Sequence, residues 1–98
     1  EAAYVPITPL VISLGRSSQY QLRFQAEIEI QPEARTPVEN AMPRIVDILN
    51  GYLRAVDIDV LKDPTSLFVL RGQMLRRIEL VTGKGQVKDL LITEFVLS

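Results

Sequence analysis

Apolar residues recur along this 98-residue chain with two different periods, and the points where the period changes mark out its elements. The cleanest run is Tyr20 to Ile30. There Tyr20, Leu22, Phe24, Ala26, Ile28 and Ile30 alternate with Gln21, Arg23, Gln25, Glu27 and Glu29. A period of two puts every apolar member on one face, so the run predicts a strand with one side in the core and one in water. Tyr4 to Leu14 predicts a strand before it, with Leu10, Ile12 and Leu14 on one face. Pro6 and Pro9 have no N–H to donate, so its early part is expected at a sheet edge or outside the ladder. The short turn Gly15-Arg16-Ser17-Ser18 predicts an antiparallel hairpin between the two strands.

The period then lengthens. Pro32 ends the second strand, and Thr36-Pro37-Val38-Glu39 reads as a helix start, with Thr36 as N-cap, Pro37 at the first helical position and Glu39 completing a capping box. Val38, Ala41, Met42, Ile45, Ile48, Leu49, Tyr52 and Val56 form one stripe of that helix. Pro43 interrupts its hydrogen-bond ladder and predicts a kink or a restart. Val56 to Lys62 is compatible with a helix end, a short strand or a loop. Asp63-Pro64 opens a second helix that runs to about Val81 and stops at Gly83. Its core stripe is Leu67, Leu70, Met74, Leu75, Ile78 and Val81.

The last strand, Val87 to Leu97, breaks the alternation rule. Taken as a regular strand it points Leu91, Phe95 and Leu97 one way and Leu90, Ile92 and Val96 the other. Two apolar faces need two coverings, so the strand is expected to lie centrally under helices or to meet another subunit. The elements together predict one α+β domain over residues 1–98. It has a three-stranded sheet with an antiparallel N-terminal hairpin, two helices on one face and a C-terminal strand, in the order β-β-α-α-β.

Composition narrows the chemistry. His, Cys and Trp are all absent, which removes thiol nucleophiles, His-based triads, His/Cys zinc sites and disulfides. The net charge is -1, so there is no clustered basic excess for nucleic acid. Hydrophobic residues make up 47%, enough for one core. No cofactor or metal is expected. Gly83-Lys84-Gly85 follows a helix and precedes a strand, the reverse of a phosphate-binding loop. Asp57, Asp59 and Asp63 lack the frame of a calcium loop and read as solvated loop and cap residues. Glu27, Glu29 and Glu94 have no nucleophile or base beside them in sequence, so an enzyme is not expected.

Two surface features remain. On the second helix Val69 and Leu80 fall away from the core stripe, with Gln73 and Arg76 between them. With Leu90, Ile92, Glu94 and Val96 of the last strand they form the candidate interaction surface. Arg71 falls at the edge of the core stripe, where a guanidinium needs a carboxylate or carbonyl, so it is the candidate structural ion pair.

In this order and spacing the motifs resemble the flagellar basal-body-associated FliL family, in its periplasmic domain. The resemblance is carried by Tyr4-Val5-Pro6-Ile7 to Leu14, by Met42-Pro43-Arg44-Ile45-Val46-Asp47, by Leu70-Arg71 to Ile78 and by the closing Thr93-Glu94-Phe95-Val96. Glu79 departs from the Asn often found there, and the acidic linker near the first helix is short. The resemblance implies a stomatin-like fold in a single-pass inner-membrane protein. Its N-terminal membrane helix is expected to lie outside this chain, which starts at Glu1. It further implies a periplasmic, non-enzymatic domain at the basal body that forms a homo-oligomeric ring and supports the stator ion-channel units, hence motility. The alternatives are a generic stomatin-like scaffold or a small-molecule sensor, with Arg71 as the anchor for an acidic ligand.

Overall fold

A computed structural model describes residues 1–98. Its strands are β1 (Ala3–Pro6), β2 (Leu10–Leu14), β3 (Tyr20–Ile30) and β4 (Val87–Leu97). Its α-helices are α1 (Arg35–Asn40), α2 (Met42–Ala55), α3 (Ile58–Lys62) and α4 (Leu67–Thr82). The alternating run is the central strand β3, and every other strand pairs antiparallel to it. On one side β1 and β2 share its length; on the other β4 runs its whole length. The helices cover one face, giving a domain of 43 × 25 × 19 Å.

The expected first strand is therefore one edge strand in two pieces, β1 and β2. Val5 and Ile7 are buried before the break, and Ile12 and Leu14 after it. Odd positions give way to even ones because Thr8-Pro9 adds a residue that β3 does not match. Ile7 lies opposite Ala26, three residues before Leu10, while Leu10 lies opposite Phe24, two residues before Ala26. The extra residue changes the phase and keeps both apolar sets inward.

The helical region restarts more often than its sequence suggests. The expected capping box at Thr36 does not form. A 3₁₀ turn at Pro32–Ala34 leads straight into α1, so Thr36 lies inside the helix and Ala34 occupies the N-cap without a side-chain hydrogen bond. Pro32 sets the backbone earlier than Pro37, and buried Ala34 anchors that entry. Pro43 does force a restart: α1 ends at Asn40 and α2 begins at Met42. Val56 to Lys62 contains α3, whose N-cap Asp57 accepts a hydrogen bond from the Asp59 amide at 3.3 Å.

Asp63 likewise accepts from the Thr65 amide at 3.0 Å and from its hydroxyl at 2.7 Å, at the start of the 3₁₀ turn that opens α4. The hydroxyl first and the amide second hold the Asp63 carboxyl below its ordinary pKa of 3.8. A depressed folded pKa means the contribution is present above the unfolded value and is lost as pH falls through the folded one. Asp63→Ala is therefore expected to melt at a lower temperature than wild type at neutral pH. The gap should close in strong acid, as followed by circular dichroism.

All twenty buried residues are hydrophobic. Phe24, Leu22 and Ile28 of β3 meet Ile45, Leu49 and Leu53 of α2 and Leu70, Met74 and Ile78 of α4 in one cluster. Leu53, absent from the expected stripe, is fully buried, while Ile48 and Tyr52 are only partly so. The buried line is Ile45, Leu49, Leu53, a straight i, i+4, i+8 ridge. Gly83, at φ +92°, ends α4 in a conformation other residues rarely adopt.

Candidate interaction surface

The two-faced last strand is resolved by geometry within β4. Glu94 lies opposite Gln25 but Ile92 lies opposite Ala26, leaving Thr93 unmatched; Asp89 lies opposite Glu29 but Val87 opposite Ile30, leaving Lys88 unmatched. Each bulge places two residues against one, so the side-chain phase shifts by one position. The inward set becomes Val87, Leu90, Ile92, Phe95 and Leu97, drawn from both of the nominal faces. Leu90, expected on the surplus face, is fully buried, and Ile92 packs half-buried against the core. What remains outward on β4 is Leu91 and Val96, beside the acid Glu94.

Nor is β4 central: it is an edge strand. Its helical cover is α4, on the inner face alone. On the outer face Val11, Arg23 and Val96 form one cross-strand row. Arg23 reaches Glu94 at 3.8 Å, so Glu94 is paired within its own chain. Both side chains are accessible, and such a pair contributes little to stability.

The α4 part of the surface keeps its expected place. Val69 and Leu80 are 61% and 75% exposed, and Arg76 is exposed between them. Gln73 is partly covered because its side chain and carbonyl accept from Arg77, at 3.0 and 3.2 Å. The Arg77 guanidinium also stacks over the Tyr52 ring of α2 at 4.2 Å, tying the two helices together. Phe68, 76% exposed, lies on another side of α4, toward Arg71 and β4. Sequence reading passed over it because it sits one position from Leu67 and Val69, on neither counted stripe.

α4 turns its Val69–Leu80 stripe away from the sheet, whereas Leu91 and Val96 lie on the sheet's far side. The candidate residues thus form two surfaces on opposite layers. Arg71 sits between them in space. It forms a salt bridge with Asp89, donates to the Leu90 carbonyl at 3.2 Å and lies 5.9 Å from the Phe68 ring. It borders an open groove of about 400 Å³ lined otherwise by Leu67, Phe68, Leu90, Leu91 and Ile92. With Arg71 engaged by Asp89, that groove has no free cation for an acidic ligand. Asp57 and Asp63 act as caps, and no helix is long and apolar enough to cross a membrane.

These features define a small two-layer α+β domain whose distinctive chemistry is exposed apolar surface rather than a polar cleft. Comparison with known proteins is specific about its kinship. The family model described as "Flagellar basal body-associated protein FliL" matches residues 4–97, and the chain belongs to that family. It is 27% identical over 84 residues to the flagellar FliL proteins of two Caulobacter vibrioides strains, NA1000 / CB15N and ATCC 19089 / CIP 103742 / CB 15. The match covers 86% of this chain and 40% of each relative's length.

Proposed function

We propose that this domain is a non-enzymatic accessory module of the flagellar motor that associates with the stator ion-channel units as a homo-oligomer. In this reading it stands in the periplasm, carried by a membrane helix outside the described chain. Family membership supports the motor role. The observation that carries the contact surface is the exposed apolar stripe of α4 formed by Val69 and Leu80, with exposed Phe68 on an adjoining side of the same helix. Large accessible side chains gathered on one helix mark an interaction site more than singly scattered ones do.

The two outward surfaces favour a ring. A two-fold contact joins the same patch on both subunits, whereas a contact between different patches propagates around a ring or along a filament. Here α4 offers an apolar stripe on one layer, and the sheet offers Val11, Leu91 and Val96 on the other. The stripe of one copy against the sheet face of the next uses both. Tethering on a membrane raises the effective concentration, so each contact needs only modest affinity.

Leu80→Asp tests the assignment. It removes an exposed apolar side chain without touching the core, so the isolated domain is expected to keep its circular dichroism and melting temperature. Cells carrying it are expected to spread more slowly in soft agar at normal protein level. Wild-type swimming at normal expression would sink the stripe as the contact face. Light scattering of the full-length protein tests the ring: a strict monomer at every concentration, with its membrane segment present, would rule it out.

A further inference from the structure

We infer that three arginines, one on each of α1, α2 and α4, close the two open edges of the sheet against strand addition. The sheet has β3 at its centre, so the β1–β2 edge and the β4 edge are both unpaired. An unpaired edge presents a row of amides and carbonyls on which another strand can form. Each arginine donates to one of those carbonyls. Arg35 of α1 reaches Tyr4 O at 3.4 Å, Arg54 in the last turn of α2 reaches Ser13 O at 3.3 Å, and Arg71 of α4 reaches Leu90 O at 3.2 Å.

The register shows that all three carbonyls point outward. Gln21 exchanges both of its peptide bonds with Ser98, at 2.8 and 2.9 Å, so it faces β4 and turns away from Ser13 opposite. The Ile7 amide bonds inward to Ala26, and by alternation Val5 also faces β3 while Tyr4 faces out. On the other side Leu90 lies opposite Ile28, an even position of β3 that faces β1, so the Leu90 peptide groups also point away from the sheet. At Leu90 the closure is complete, since its amide donates to Asp89 Oδ1 at 2.8 Å while its carbonyl accepts from Arg71.

A guanidinium suits this task for two reasons. It has donors and no acceptor, so it occupies a carbonyl without offering a return bond to an incoming amide. An added strand would also have to desolvate its charge, alone at Arg54 and together with a paired carboxylate at Arg35, beside Glu39, and at Arg71, beside Asp89. Three different helices reaching outward carbonyls on both edges are a common solution to a common problem. Two further devices act in the same direction: Pro6 and Pro9 beside one edge and the bulges of β4 at the other. Assembly of this domain is thereby directed to its faces.

The experiment opens one edge at a time in the Leu80→Asp background, which removes the α4 contact from the measurement. R35A/R54A opens the β1–β2 edge and R71A opens the β4 edge. Sedimentation equilibrium is expected to show self-association about tenfold tighter or more than the Leu80→Asp parent. Amide hydrogen exchange is expected to show new protection at Tyr4 and Ser13 in the first variant and at Ile92 in the second. Lysine at the same positions should retain the parental behaviour, because it keeps the charge and a donor. A folded R35A/R54A that sediments and exchanges as the parent overturns the inference. Arg35 and Arg54 are both exposed, so that edge decides the matter even where R71A loses its fold. Arg35→Ala and Arg54→Ala alone carry the same test should the pair unfold.

Discussion

Leu90→Asp is expected to abolish folding, while Val96→Asp, on the same strand, is expected to leave the domain within about 0.5 kcal/mol of wild type. Regular alternation would treat these residues as equivalent, since they are an even number of positions apart. The bulge at Thr93 makes them opposite. Leu90 has no solvent exposure and Val96 is 47% exposed. Truncating a buried leucine alone costs about 2–5 kcal/mol. A carboxylate in its place adds a desolvation cost, and the cation beside it, Arg71 at the Leu90 carbonyl, is already engaged by Asp89. A domain stabilised by about 5–15 kcal/mol has little left after both terms. Urea titration followed by circular dichroism checks the pair. Equal tolerance, or equal loss, would contradict the phase shift.

Phe24→Ala is expected to cost about 3–5 kcal/mol, the range for large aromatic truncations. With a urea dependence of about 2 kcal/mol per molar, the midpoint falls by about 2 M. Phe24 sits at the middle of the central strand, paired to Leu10 on one side and Phe95 on the other, with no exposure. Its ring meets Phe95 edge-on, at 6.2 Å between centroids and 88° between planes. Such a pair adds about 0.5–1.5 kcal/mol beyond the area it buries. Phe95→Ala is expected to cost less, because Phe95 lies on an edge strand and is only partly buried. A Phe24→Ala midpoint within error of wild type would show that the core collapses fully into the space the ring leaves.

The elements most legible in sequence are those whose information is local. The period of β3 matched its bounds, because alternation over eleven residues has one solution when one face is covered. Pro43 marked the restart at α2, and Gly83 marked the end of α4, because each acts on its own backbone. The capping box at Thr36 was legible but unused: an upstream proline turn started the helix sooner. Arg71 stood out by its place at the edge of a core stripe, yet its partner Asp89 lies eighteen residues on, in β4, and no local pattern joins them.

The candidate surface was legible only in part. Val69, Arg76 and Leu80 follow from the helical repeat and lie outward on α4. Leu90 and Ile92 did not follow, because the strand repeat assumes one residue on each strand per ladder step. Whether a strand takes up an extra residue depends on what its neighbour needs to bury, and that neighbour is some sixty residues away in sequence. Phe68 was missed for a simpler reason. Three consecutive apolar residues, Leu67, Phe68 and Val69, cannot all be assigned by a stripe until the helix is rotated against the sheet.

By itself the sequence determined the fold class and the long alternating strand with its one core face, and its motifs pointed to the FliL family, which the family match shows. These depend on residue type and short spacing, which survive without coordinates. That the alternating strand is the central one was decided by the pairing. The tertiary structure decided the phase of β4, the separation of the outward apolar residues onto two layers and the engagement of Arg71 with Asp89 and the β4 edge. Each of these is a relation between distant segments, settled only when the sheet register and the seating of α4 on β4 are in place.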